Sequence, residues 1–182
     1  MSKRDAMEVI TRIAAEVASK SALEVYAKEK EKERKKRVDS RLRNTKRLLR
    51  SYREIKVHAG DAIASLADVS SEEYDFFQDI MEDPFSIDVS AIISSRARSA
   101  IMLAHIDAML EAYEVICHNS KKLEEQRRYR VLDGLYLSDE PLSIRQLAES
   151  EGVDIRTIYN DIDVICEKMS ALLFGIQWIE RE

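Results

Sequence analysis

The sequence predicts an all-α fold for three reasons. Glycine occurs 4 times and proline 2 times in 182 residues, too few for the many tight turns of a β-sandwich or barrel. Charged residues make up 35% and hydrophobic ones 45%, the mixture of long amphipathic helices. From Val38, the positions Leu42, Thr45, Leu49, Tyr52, Lys56, Ala59, Ile63 and Leu66 follow in alternating steps of four and three. That is the period of a coiled-coil-like seam, with Lys56 as its polar interruption. The expected architecture is long, coiled-coil-like N-terminal helices and central helices, followed by a C-terminal helix-turn-helix module.

Taken in order, residues 4–27 predict an amphipathic helix, with Ile10, Ile13, Ala14, Val17 and Val25 near helical spacing. Residues 28–37, KEKEKERKKR, contain no apolar side chain. Their alternating signs favour a solvated helix with i,i+4 pairs, the alternative being a flexible joint. The seam follows, its outer faces carrying Arg41, Arg43, Lys46, Arg47, Arg50 and Arg53. Gly60 threatens the continuity of that helix. Ser70 and Glu73 have capping-box spacing and open a short helix that ends near Asp83-Pro84. Residues 90–118 form the least polar long segment. Ile93, Ala97, Ala100, Ala104 and Ala108 make one stripe, and apolar residues such as Ile101, Met102 and Ile106 cover much of the rest. A helix apolar nearly all round is expected at the centre of the fold.

A boundary is expected around His118-Asn119-Ser120. Residues 1–118 then form a helical scaffold for oligomerisation or partner binding, and 119–182 a DNA-binding module. Within the latter, KLEEQRRYRVLDGLYL predicts a helix stopped by the turn at Pro141. Ser143 and Gln146 give a second capping box before IRQLAESE, Gly152 ends that helix, and Asp154 caps IRTIYNDIDVICEKM. Ala148, Gly152 and Ile158 carry the information. A small residue lets two helices approach closely, a glycine takes the positive φ of the tight turn, and a branched apolar residue fills the angle between the helices. Leu142, Ile144, Leu147, Val153 and Ile162 complete the small core. Three packed helices without a DNA contact would spell similar letters.

In a helix-turn-helix the N-terminal half of the last helix enters the major groove. Its expected face is Arg156, Thr157, Tyr159 and Asn160, with Asp154 at its start and Arg145 on the preceding helix. Arginine pairs bidentately with guanine and asparagine with adenine. Thr157 and Tyr159 suit phosphates or a thymine methyl. Asp161 and Asp163 sit less comfortably beside phosphates. Charge is strongly blocked along the chain: residues 1–60 are net +9, 61–120 net −10 and 121–182 net −4. An acidic reading module is unusual, because phosphate neutralisation supplies most non-specific affinity. Lys121, Lys122, Arg127, Arg128, Arg130 and Arg145 are candidates for a compensating basic cluster, and the basic N-terminal half could reach the same DNA. The row from Arg41 to Arg53 is a candidate for phosphate or partner contacts.

Other chemistries are poorly supported. Cys117 and Cys166 form no CxxC pair, and His58, His105 and His118 are scattered, so no metal site is expected. Cys117 and His118 are adjacent and point ~100° apart on a helix, unsuited to a nucleophile–base pair. His105 reads as a satisfied core or interface histidine. No enzyme activity and no cofactor is expected. No apolar stretch is long enough to span a membrane, the N-terminus lacks the apolar core of a signal peptide, and cytoplasmic residence follows. The tail residues Leu172, Leu173, Phe174, Ile176, Trp178 and Ile179 must be buried, against the small module or in a dimer interface.

The segment RRYRVLDGLYLSDEPLSIRQLAESEGVDIRTIYNDIDVICEKMSALLFGI resembles the region-4-like helix-turn-helix of bacterial sigma factors. It is more similar to prophage-encoded transcription regulators of the ArpU/RinA type from Gram-positive bacteria, and RLRNTKRLLRSYREIKVHA (41–59) resembles their upstream part loosely. The resemblance implies a transcription regulator acting on double-stranded DNA at a promoter, with RNA polymerase as a further partner; beside it, a homo-oligomer, a dimer, is expected. It places recognition positions at Asp154, Arg156, Thr157, Tyr159, Asn160 and Asp163. No counterpart of the promoter-melting region 2 is evident, so a complete sigma factor is not expected. Two alternatives stay open: a phage terminase small subunit, and a coiled-coil protein-interaction module working through Val38–Leu66 without DNA.

Overall fold

A computed structural model of the protein describes residues 3–60, 71–82, 88–93 and 95–175. Among these residues every regular element is helical and no strand occurs. The elements are α1 (Lys3–Arg50), α2 (Tyr52–Ala59), α3 (Ser71–Glu82), α4 (Val89–Ile93), α5 (Arg96–His118), α6 (Leu123–Leu132), a π-helical turn (Asp133–Leu137), α7 (Ile144–Glu151) and α8 (Ile155–Phe174). The chain divides into two compact units, Met1–Asp39 and Ser40–Glu182.

The first unit is the N-terminal part of α1. The charged stretch 28–37 is helical throughout. Arg34 donates through Nε and Nη2 to Glu31 at 2.9 and 3.0 Å, and Lys35 Nζ lies 3.8 Å from the same carboxylate. These are the i,i+3 and i,i+4 pairs that alternating signs provide. Arg34 and Lys35 hold the Glu31 carboxyl below its ordinary value, with the Arg34 hydrogen bond the main cause. Leu23, Val25 and Tyr26 are exposed. The side chains of Ile10, Ile13, Ala14 and Val17 lie outside the described set.

The second unit holds the core. Leu48, Leu49, Tyr52, Ile55 and Ala59 are buried, and α2 packs along α5. The Tyr52 hydroxyl donates to Asp107 Oδ1 at 2.8 Å, joining α2 to α5. Thr45, Leu49, Tyr52 and Ala59 of the heptad seam therefore belong to this unit's own core. Burying a Leu or Ile side chain is worth about 1.5–3 kcal/mol, and here that burial holds α2 in place. Helical hydrogen bonds continue through Ser51, whose N–H reaches the Arg47 carbonyl at 3.0 Å and whose carbonyl receives the Ile55 N–H at 2.8 Å. The helix ends at Gly60, where φ is +46°. Ile63, Leu66, Ser70 and Asp83-Pro84 lie outside the described residues.

The expected single helix over 90–118 is two. Ser95 is extended, with φ −127° and ψ 127°, and its Oγ accepts from the Arg98 N–H at 3.4 Å to cap α5. The same hydroxyl donates to Glu73 Oε1 on α3 at 3.2 Å. Ser99 Oγ donates to the Ile92 carbonyl at 3.1 Å. Two serine hydroxyls thus serve the backbone at the interruption, which an apolar periodicity does not register. α5 is central as expected, packing against α2, α3, α4, α6 and α8. Of the alanine stripe, Ala100 is buried and Ala108 is exposed. His105 Nε2 donates to the Leu173 carbonyl at 3.0 Å and its ring meets Phe77 edge-on, so it is a satisfied histidine of the α5–α8 contact. α5 ends at His118 with Asn119 as its cap, a position that falls inside the second unit. No helix among the described residues is long and apolar enough to cross a membrane.

Candidate functional site

The candidate site is built from α6, α7 and α8, and its local geometry follows from a few side chains. Ser143 Oγ accepts from the Gln146 N–H at 3.3 Å, while Gln146 Oε1 accepts from the Ser143 N–H at 2.9 Å. This reciprocal box satisfies donors that the first turn of α7 leaves free. At the other end Gly152 takes φ 63° and ψ 36°, the left-handed region where an L side chain is strained. The Val153 N–H returns to the Ala148 carbonyl at 3.0 Å. Asp154 then caps α8, its Oδ1 accepting from the Arg156 N–H at 2.7 Å.

Ala148, Leu147 and Ile158 are buried beneath this turn, as the spacing requires, and Ile162 lies beside them. Ile144 and Val153 are half-buried. Leu142 departs from the expected core: it is 37% exposed and leans over Gly134, whose absent side chain makes room for it and for Leu147. The Leu142 N–H donates to the Gly134 carbonyl at 2.8 Å, tying the strand of loop before α7 to the π-helical turn.

The buried stripe of α8 is Ile158, Asp161, Ile162, Ile165, Cys166, Met169, Ser170, Leu173 and Phe174. Arg156, Tyr159, Asn160 and Asp163 are exposed outside that stripe, Thr157 is half-buried, and Ile155 is exposed at the first turn of the helix. Arg156 and Asn160 are one turn apart and share a line on the helix, as do Ile155 and Tyr159. The structure thus brings Arg156, Thr157, Tyr159 and Asn160 onto one end of α8. Asp154 faces its own helix as a cap. Arg145 is exposed on the first turn of α7. Ile155, 42% exposed, was missed in the sequence. It keeps the three-and-four register of Ile158, Ile162 and Ile165, so spacing alone reads it as core.

The electrostatics overturn the expected basic cluster. Arg127 and Arg128 turn inward onto Asp161, which is 2% exposed. Arg127 Nε and Nη2 donate to its two oxygens at 2.7 and 3.3 Å, and Arg128 Nε donates at 3.1 Å. Arg128 Nη1 also donates to Glu125 at 2.6 Å, and Lys168 pairs with the other oxygen of Glu125. Arg130 pairs with Glu151 at 2.6 and 2.8 Å, joining α6 to the end of α7. The hydrogen bond to Asp161 raises the Arg127 pKa. Burial pushes the Glu125 carboxyl up, but Lys168 and Arg128 together hold it below its ordinary value. Asp161 therefore points away from the exposed face, which removes one of the two doubtful aspartates.

The N-terminal row is also sorted by the fold. Arg53 Nη1 donates to the Leu135 and Ser138 carbonyls, each at 3.3 Å, so it serves the end of the π-helical turn. Arg41 and Lys46 are half-buried, while Arg43, Arg47 and Arg50 are exposed. Cys117 and Cys166 are buried free thiols, and burial pushes both upward in pKa. Leu173 and Phe174 of the apolar tail are buried and Leu172 packs against the core. Ile176, Trp178 and Ile179 lie outside the described residues. Among the described residues no group of His, Cys, Asp and Glu is placed to hold a metal ion. Comparison with protein-family models, with curated proteins and with solved structures found no match.

Proposed function

We propose that the chain is a DNA-binding transcription regulator, similar in design to the prophage ArpU/RinA type, and that α7, the turn at Gly152 and α8 form its helix-turn-helix. One observation carries the reading. The residues that suit base edges, Arg156 and Asn160, stand exposed on the N-terminal half of α8, while every residue that would hold α8 against α6 and α7 faces inward. In a major groove, Arg156 would pair with a guanine and Asn160 with an adenine. Ile155 and Tyr159 offer apolar surface for thymine methyls. The promoter, RNA polymerase as a second partner and a homodimeric state belong to this reading, and so does a cytoplasmic site of action. The reading assigns the chain no catalytic chemistry.

The protein-interaction alternative is not favoured by the burial of Leu49, Tyr52 and Ala59 of the heptad seam in the chain's own core. No observation favours the terminase alternative. A mobility-shift assay on the DNA upstream of the protein's own gene tests the proposal. Arg156→Ala and Asn160→Ala should each weaken the shift, since a bidentate base pair is worth about 1–3 kcal/mol. Equal binding by wild type and both variants refutes the recognition-helix assignment.

A further inference from the structure

The reading above leaves an electrostatic deficit. Among residues 121–175 there are eight Lys/Arg, and four of them, Arg127, Arg128, Arg130 and Lys168, are held by acidic partners. Lys121, Lys122, Arg145 and Arg156 remain. Duplex DNA binding draws most of its sequence-independent affinity from phosphate neutralisation. Four residues are few for that task, and Arg156 is committed to a base.

The second unit supplies cations elsewhere. Arg43, Lys46, Arg47 and Arg50 lie at i, i+3, i+4 and i+7 on the last turns of α1, which places them on one stripe of the helix. The core residues of the same segment, Asn44, Thr45, Leu48 and Leu49, occupy the other side. Arg43 and Arg47 are exposed without an ion partner among the described residues. Arg50 is exposed as well, again without an ion partner among the described residues. Just beyond the stripe, Arg53 ties this helical segment to the π-helical turn through the Leu135 and Ser138 carbonyls.

We infer that Arg43, Lys46, Arg47 and Arg50 are a phosphate clamp, holding the DNA backbone beside the groove that α8 reads. This rests on the proposed function and adds a second, sequence-independent contact to it. The clamp answers the deficit of the acidic C-terminal segment: one element reads bases, and another supplies the charge.

The test uses the full chain and two labelled duplexes about three helical turns long, one of random sequence and one carrying the preferred site. Affinities are measured by fluorescence anisotropy between ~50 and ~200 mM salt. The variant is Arg43→Gln/Lys46→Gln/Arg47→Gln, which keeps good helix formers. Its affinity for both duplexes should fall equally, by roughly tenfold or more, and the slope of log K against log salt should drop by about 2–3. The charge-preserving Arg43→Lys/Lys46→Arg/Arg47→Lys should keep the wild-type slope, which separates charge from packing. An unchanged slope and affinity in the glutamine variant overturns the clamp. If the wild type still discriminates the two duplexes in that case, the α8 reading survives alone. If the slope drops but wild type and Arg156→Ala both bind the two duplexes alike, the clamp stands and the α8 reading fails. If the wild type binds neither duplex, both fail.

Discussion

Arg127 grips Asp161 through Nε and Nη2 at 2.7 and 3.3 Å, across 34 positions of sequence. Asp161 sits on the inner stripe of α8 and Arg127 on α6, so the pair sets how the exposed face of α8 is presented. Arg128 completes the site from the adjacent position at 3.1 Å. Asp161→Ala would leave the Arg127 guanidinium without its carboxylate and Arg128 with Glu125 alone, in a largely buried place. Breaking such a pair from one side costs about 3 kcal/mol or more. Chemical denaturation followed by circular dichroism should show that loss. A loss within the noise of a surface substitution would mean that the pair does not anchor α8.

The same network makes the fold sensitive to acid. Glu125 is held below its ordinary value of 4.5 by Lys168 and Arg128, against the opposing effect of burial. A carboxyl depressed in the folded state stabilises it above the unfolded pKa, and loses that contribution as pH falls through the folded pKa. Wild-type stability should therefore fall below about pH 4.5 more steeply than that of Glu125→Gln. Parallel pH profiles for the two proteins would exclude Glu125 as a source of the acid response.

Gly152 carries the turn between α7 and α8 at φ +63°, and a Cβ built on it would meet nothing within 4 Å. The penalty of Gly152→Ala is thus conformational and not steric, about 1 kcal/mol. Gly152→Asn should cost less, because asparagine tolerates the left-handed region. Thermal melts of the two variants check this order. A larger loss in the asparagine variant would contradict it.

Gly134 is limited by space. A Cβ there would lie 3.0 Å from Leu147 Cδ2 and 3.3 Å from Leu142 Cδ1. Alanine gains up to ~1 kcal/mol of helix propensity, which offsets the crowding, so Gly134→Ala should be near neutral. Gly134→Val adds two methyls against the buried Leu147 and should cost about 2 kcal/mol. Equal stability of the valine and alanine variants would show that α7 can shift away from the π-helical turn.

These contrasts mark what was legible in the sequence. The capping box at Ser143 and Gln146 and the Ala148–Gly152–Ile158 spacing are short-range patterns, and short-range patterns are written in consecutive letters. The heptad seam from Val38 was legible as an apolar face, but a period does not name the surface that covers it. For its α2 part, Tyr52 and Ala59, the cover is α5 of the same chain. The interruption at Ser95 was hidden because the apolar stripe runs on past it while one hydroxyl caps the new helix. The fate of Arg127, Arg128 and Arg130 was not legible either. Their partners Asp161 and Glu151 lie 34, 33 and 21 positions away, and composition alone counts them as free charge.

The central claim is that the exposed face of α8 reads DNA sequence, and selection of bound duplexes from a random pool measures it most directly. The wild type should enrich one preferred site, and Arg156→Ala/Asn160→Ala should lose the preference at the positions those side chains contact while still binding duplex through its phosphates. Enrichment of the same site to the same degree by both proteins, or no enrichment by the wild type, would contradict it.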